Sequence, residues 1–258
     1  MKSESRRNIR LDLSYDGTDF QGWQIQKVGR SVQGEMEKAL SALHAGRKVN
    51  LTGSGRTDSG VHATAQVANF YSENSSIPAE KFRDALNAHL PRDIRILESR
   101  EVPLKFHSRF DARVRVYKYY ILNAPAGAAH YRNFCYLTRE RLSMPLLNDL
   151  ARPLTGTHDF TSFSAARDQN ESKVRLIYSA RFLREGPFIV FRIAGNAFLW
   201  KMVRTMVGTL LDQASKGGTP GDMVDILHGK DRKLAGPSAP SRGLFLHKVL
   251  YESETNIY

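Results

Sequence analysis

The chain has 258 residues, one cysteine, and 38 Lys+Arg against 26 Asp+Glu, a net charge of +12. A hydrophobic content of 41% supports a buried core, and no apolar run approaches the roughly eighteen residues that span a bilayer. One cysteine excludes a disulfide framework or thiolate metal cluster, and no apolar segment follows Arg6-Arg7 as in a signal peptide. The expectation is therefore a cytoplasmic protein with a polyanionic partner.

Ile9, Leu11, Leu13 and Tyr15 alternate with Arg10, Asp12 and Ser14, which predicts a half-buried strand. The loop Asp16–Gln24 follows, then Ser31 as the N-cap of a helix with Val32, Met36, Ala39, Leu40 and Leu43 on one face, ended near Gly46. A short strand near Lys48–Thr52 leads into Gly53-Ser-Gly-Arg-Thr-Asp-Ser-Gly-Val-His-Ala63, a turn that crowds three glycines, a cation, a carboxylate and an imidazole together. A strand over Ala65–Tyr71, a helix opened by Pro78 and a strand over Asp93–Val102 complete a β-α-β-β-α-β order, the split ferredoxin-like unit. In that topology both helices lie on one face of an antiparallel sheet, and the other face is expected to be free for a ligand.

The second half opens with a strand over Asp111–Leu122, with Arg113, Arg115, Tyr117 and Tyr119 on one face. A helix over Arg139–Leu150, a loop over Gly156–Phe163 and a hairpin around Glu185-Gly-Pro187 follow. Next come an amphipathic helix starting near Ala197, a short helix near Gly221–Leu227 and a strand over Leu244–Tyr251. This repeats the first half's order with insertions. The predicted fold is α+β: two ferredoxin-like halves, an N-terminal domain over 1–105 with the loop 53–63 and a C-terminal domain over 106–258. They are expected to form one extended antiparallel sheet with helices on one face and a basic cleft.

Asp58 is the first chemical candidate. Arg56, two residues earlier, keeps an adjacent carboxylate ionised, and an ionised carboxylate in a cleft serves as nucleophile or general base. The plainer alternative is an aspartate that caps a turn. His62 reads as a satisfied or surface histidine, since His44, His89, His107, His130, His158, His228 and His247 are dispersed and no metal-ligand spacing occurs. Tyr117 beside Arg113 and Arg115 suits a stacked base with its phosphate, although an aromatic in a strand is also ordinary core filler. Arg204 lies on the polar side of its helix, and Cys135 reads as a small buried residue. The signatures of nucleotide hydrolysis, dinucleotide binding and serine hydrolysis are all missing from the sequence.

Gly55-Arg-Thr-Asp-Ser-Gly-Val-His-Ala63 closely resembles the catalytic signature of the tRNA pseudouridine synthase A family. Tyr15–Gln24, Phe106–Tyr119, Asp159–Phe163, Asn196–Arg204 and Ala239–Leu246 look like further blocks of that family, in its order, across nearly the whole chain. Ser54 and Ser59 stand where alanine is common.

The resemblance implies that Asp58 is the catalytic aspartate and that Arg56 helps open and hold the RNA. It implies that Tyr117 stacks on the target base, Arg204 pairs with the aspartate, and Leu244 packs on the uracil. It further implies cofactor-free, metal-free isomerisation of uridine to pseudouridine at positions 38, 39 and 40 of the tRNA anticodon stem-loop, by a homodimer; no membrane partner is expected, since the sequence has no basic amphipathic helix or polybasic cluster. A non-catalytic RNA-binding protein on the same fold is the alternative.

Overall fold

The computed structural model describes residues 6–127 and 129–252. Its elements are β1 (Arg7–Tyr15), α1 (Val32–Leu43), β2 (Thr52–Gly53), β3 (His62–Ser72), α2 (Phe82–His89), β4 (Ile94–Val102), β5 (Val114–Asn123) and β6 (Tyr136–Thr138). They continue with α3 (Met144–Ala151), β7 (Gly156–Asp159), β8 (Val174–Glu185), β9 (Phe188–Gly195), α4 (Met202–Lys216), α5 (Pro220–Gly229) and β10 (Leu244–Leu250). The fold is mixed α+β with mostly antiparallel strands, as expected. Among the described residues no helix is long and apolar enough to cross a membrane.

The described chain packs as two compact units: one holds residues 6–113 and 246–252, the other the described residues of Val114–Phe245. In the first, β1 lies between β4 and β3, and β2 pairs with β3, giving the β-α-β-β-α-β unit. Ile9 pairs in register with Phe70, whose ring meets Phe82 of α2 edge-on at 5.3 Å and His44, the C-cap of α1, at 6.0 Å. Both helices therefore cover the Ile9 face. Ser31 caps α1 by accepting the Gly34 N–H at 3.2 Å.

The opposite face of this unit is not free along its whole length. Asn8, Arg10 and Asn69 point there and are buried, because the segment after β4 folds over them. Asn8 Nδ2 donates to Phe106 O at 2.8 Å, Asn69 Oδ1 accepts the Ser108 N–H at 3.0 Å, and Arg10 lies 4.7 Å from the Tyr251 ring centre. The expected strand over Lys48–Thr52 contracts to Thr52–Gly53, since the Leu51 N–H goes to the Glu37 carboxylate at 3.0 Å instead of to a neighbouring strand.

In the second unit β9 lies between β5 and β8, β7 flanks β8, and β6 runs parallel to β5. Helix α3 starts at Met144 rather than Arg139 because Tyr136–Thr138 pairs with β5 and Ser143 supplies the cap. The loop expected over Gly156–Phe163 contains β7 and a 3-10 turn. Helix α4 likewise begins at Met202 rather than near Ala197, for reasons in the turn described below. Cys135 is buried as predicted, its thiol pushed up in pKa by burial and donating to Tyr131 O at 3.4 Å.

Candidate active site

The Asp58 loop is the connection from β2 to β3, residues 54–61. It is fixed on both sides of the aspartate. Ahead of it, Gln66 Nε2 donates to Gly55 O at 2.9 Å, the Trp23 N–H donates to Thr57 O at 3.1 Å, and the Thr57 hydroxyl shares a buried 2.8 Å bond with Tyr15 OH. Behind it, the Gly60 N–H and Ser59 Oγ both reach Phe20 O at 3.2 Å, and the Val61 N–H closes on Asp58 O at 3.1 Å.

Two of the partners, Phe20 and Trp23, come from the loop Asp16–Gln24 and are buried. Two glycines permit the contact. A Cβ on Gly22, which has φ +97°, would sit 2.5 Å from Thr57 O, and one on Gly17 would sit 2.0 Å from Val61 O. No side chain larger than hydrogen fits at either position. The result is a half-buried Asp58 on a turn whose backbone is determined at every neighbour, with Arg56 exposed beside it.

His62 behaves as a satisfied core histidine. It is buried, and its Nδ1 accepts the Gly17 N–H at 3.0 Å, which helps hold the Asp16–Gln24 loop against β3. A nitrogen that accepts an amide proton cannot also donate to Asp16 Oδ1, 3.1 Å away, so that contact is not an ion pair.

Tyr117, Arg204 and Leu244 belong to the second unit. The β5 face on which Tyr117 lies is covered, unlike the open basic strip its sequence evokes. Arg115 is buried, with Nη1 donating to Asn196 O at 2.7 Å, and Tyr119 is wholly buried with its hydroxyl on Pro240 O at 2.8 Å. Burial raises the Tyr119 hydroxyl far above the ordinary tyrosine pKa, so it is a fixed donor. Arg113 belongs to the first unit and pairs with Glu252.

Tyr117 is 8% exposed and meets Phe198 edge-on at 5.1 Å. Half-buried Arg204, in the first turn of α4, donates from Nε to Ala239 O at 2.8 Å and receives the Ala239 N–H on its carbonyl at 2.9 Å. Leu244, buried, opens β10 directly after this segment. The second unit thus brings Arg204 and Tyr119 onto the stretch Ala239–Leu244, with Tyr117 two residues before Tyr119 on the same face of β5.

Two residues without an assigned role at the sequence level organise this region. Asn196 Oδ1 accepts the Leu176 N–H at 3.0 Å and the Ala197 N–H at 2.7 Å, which turns the chain out of β9 and delays the start of α4. Asp168 receives the Trp200 N–H at 2.7 Å on a carboxylate whose side chain is 1% exposed. Burial alone would raise its pKa, but bonds from Lys173, the Trp200 N–H and Asn170 outweigh that and hold it well below the carboxylate range. Neither role has a local signature, since the partners stand 20 and 32 residues apart in the chain.

The tRNA pseudouridine synthase family model matches residues 13–111 and 150–252. A Treponema denticola protein named tRNA pseudouridine synthase A is 46% identical over 257 residues, covering 98% of this chain and 96% of its own length. Proteins of the same name from Clostridium acetobutylicum and Geobacillus kaustophilus are 44% identical over 245 residues and 42% over 252. The first alignment covers 95% of this chain and 100% of the relative, the second 98% and 97%. With the match extending through both units and relatives aligned almost end to end, the chain belongs to the tRNA pseudouridine synthase family, isomerases that convert uridine to pseudouridine in tRNA.

Proposed function

We propose that the chain modifies uridines 38, 39 and 40 of the anticodon stem-loop, in the cytoplasm and as a homodimer, with Asp58 as catalytic nucleophile or base and without a cofactor. The observation that carries this reading is the Asp58 turn, whose flanking residues are bonded to the Asp16–Gln24 loop on both sides while Asp58 itself is half-buried. Positioning of this kind is what a reacting carboxylate needs, and it exceeds what a turn cap requires.

In the reaction the C1′–N1 glycosidic bond breaks, the uracil turns over, and C5 bonds to C1′; N1 ends protonated and the C5 hydrogen leaves to solvent. An ionised Asp58 has three entries to this sequence: attack on C1′, addition to C6, or removal of the 2′ proton. Extruding the base from its stack costs about a few kcal/mol, and an aromatic ring, a guanidinium and an apolar side chain can return that by stacking and burial. Tyr117, Arg204 and Leu244 are the residues proposed to receive it, with Arg56 holding the opened RNA. The +12 charge supplies the salt-dependent phosphate attraction.

The test is tritium release from tRNA carrying [5-³H]uridine in the presence of EDTA. Wild type should release label, and Asp58→Ala should lose at least about 10³-fold in rate, as expected when a nucleophile or base is deleted. Release that survives the substitution removes Asp58 from the mechanism. Mapping the product to residues outside 38–40 would overturn the anticodon assignment, and sedimentation as a monomer would overturn the dimer.

A further inference from the structure

Helix α4 starts in an unusual way. Helices α1, α3 and α5 begin at Ser31, Ser143 and Thr219, extended residues whose hydroxyls accept a first-turn N–H. The residue before α4 is Lys201, with φ 62° and ψ 3° and no side-chain cap. It is the third residue of a turn closed by the Met202 N–H on Leu199 O at 3.1 Å, the position at which glycine is favoured. Among the described residues the other non-glycine positions with positive φ are Ala45 and Lys230, and both follow helix ends, where this conformation is common. Of these three described positions, Lys201 alone adopts it ahead of a helix.

The same turn displays Trp200, which is 44% exposed, with Lys201 Nζ 5.4 Å from its ring centre. The other tryptophan, Trp23, is 3% exposed. An exposed indole would ordinarily be mobile, yet its backbone is clamped. The Trp200 N–H goes to buried Asp168, the Trp200 carbonyl accepts the Ala165 N–H at 3.0 Å, and Asp168 is itself held by Lys173 Nζ at 2.7 Å and the Asn170 N–H at 2.9 Å. The structure fixes the backbone that carries an exposed aromatic beside an exposed cation and keeps lysine where glycine would be less strained.

We infer that Trp200 and Lys201 form a nucleotide-binding platform for the tRNA, the indole stacking on an unstacked base and the ammonium meeting its phosphate, with Asp168 as the positioning residue. The partner is RNA rather than protein because the patch pairs one aromatic with a cation on a chain of net charge +12. The inference rests on tRNA being the substrate and extends the binding surface beyond Tyr117, Arg204 and Leu244.

The first measurement is the fluorescence of wild-type protein titrated with an unmodified tRNA transcript. Binding should quench the exposed indole and shield it from acrylamide, and Trp200→Phe should lose that signal. The second is affinity against salt. Trp200→Ala should bind about 5- to 100-fold more weakly. Lys201→Gly should bind more weakly, with a salt slope reduced by about 0.7, while its Tm holds or rises by about 2–4 °C as the turn relaxes. Opposite signs for stability and affinity are what a purely structural lysine cannot produce. Asp168→Asn should raise KM with little change in kcat.

An indole that tRNA neither quenches nor shields overturns the inference, even if Trp200→Ala fails to fold. So does Trp200→Ala that binds tRNA normally but changes the oligomeric state, since the patch would then face a second copy of the chain. Tritium release by wild type in the same preparations keeps such a failure apart from a failure of the proposed reaction.

Discussion

The two units use one strand plan and place their irregular backbone differently. In the first, β3 lies between β1 and β2; in the second, β9 lies between β5 and β8. The hairpin at that position is short-stranded and long-looped in the first unit: β2 has two residues, and the connection 54–61 carries Asp58. In the second unit β8 has twelve residues and reaches β9 through Gly186–Pro187 alone, which leaves no side chain to hold over a substrate. The second unit instead loads the connection from β9 to α4, where Asn196, Trp200 and Lys201 sit ahead of Arg204. The sheet register is a scaffold in both units, and the residues proposed for catalysis and binding include those on the connections released from hairpin geometry.

The sharpest test of that asymmetry substitutes glycine by alanine in each unit. Gly22→Ala would drive a Cβ to 2.5 Å from Thr57 O and displace the backbone beside Asp58. Tritium release should fall about 100-fold, the scale of a misplaced catalytic group, with at least about 2 kcal/mol of stability lost. Gly186→Ala meets nothing within 4 Å, and its only strain is a φ of +57°. It should cost about 1 kcal/mol and leave the specific activity of folded protein unchanged. Equal activity losses in the two variants would mean that the hairpin of the second unit also serves the site.

The first unit was largely legible because its first strand alternates apolar with polar residues. Ile9, Leu11, Leu13 and Tyr15 alternate cleanly, and Ser31 and Gly46 punctuate α1. The Asp58 loop stood out by composition, although its glycines do not all serve a ligand: a Cβ on Gly53 would strike the Trp23 ring at 2.5 Å. β5 was harder to read. Arg113 and Arg115 suggested a solvated basic face, but Arg115 is buried by the chain around Asn196 and Tyr119 by Pro240, segments 81 and 121 residues away. Period-two alternation reports that a face is polar, and it cannot report that distant backbone carbonyls will consume the polarity. Asp168 was invisible for the same reason, since a loop aspartate between Arg167 and Gln169 has the composition of any solvated turn.

A smaller effect separates the two ways in which the Asp58 loop is held. Tyr15→Phe deletes the bond to the Thr57 hydroxyl and leaves the backbone bonds to Phe20 and Trp23 in place. An orphaned buried hydroxyl costs about 1–2 kcal/mol, and kcat should fall about tenfold with KM nearly unchanged. If kcat held, the backbone bonds alone would be sufficient to position the carboxylate.

The last effect concerns the second unit, leaves catalysis aside and is read by pH. Asp168 has a folded pKa well below its unfolded value near about 3.9, so its charged bonds contribute stability above that value and lose it as acid protonates the folded carboxylate. Asp168→Asn keeps the shape and removes the charge that Lys173 and the Trp200 N–H require. At pH 7 the variant should be about 2 kcal/mol less stable, measured by urea unfolding. Between about pH 5 and pH 3 wild type should lose stability more steeply than the variant, and the gap should narrow. A gap that stayed constant down to pH 3 would show that shape rather than charge holds the Trp200 turn, and its rigid display would then rest on the Ala165 bond and the fold of α4.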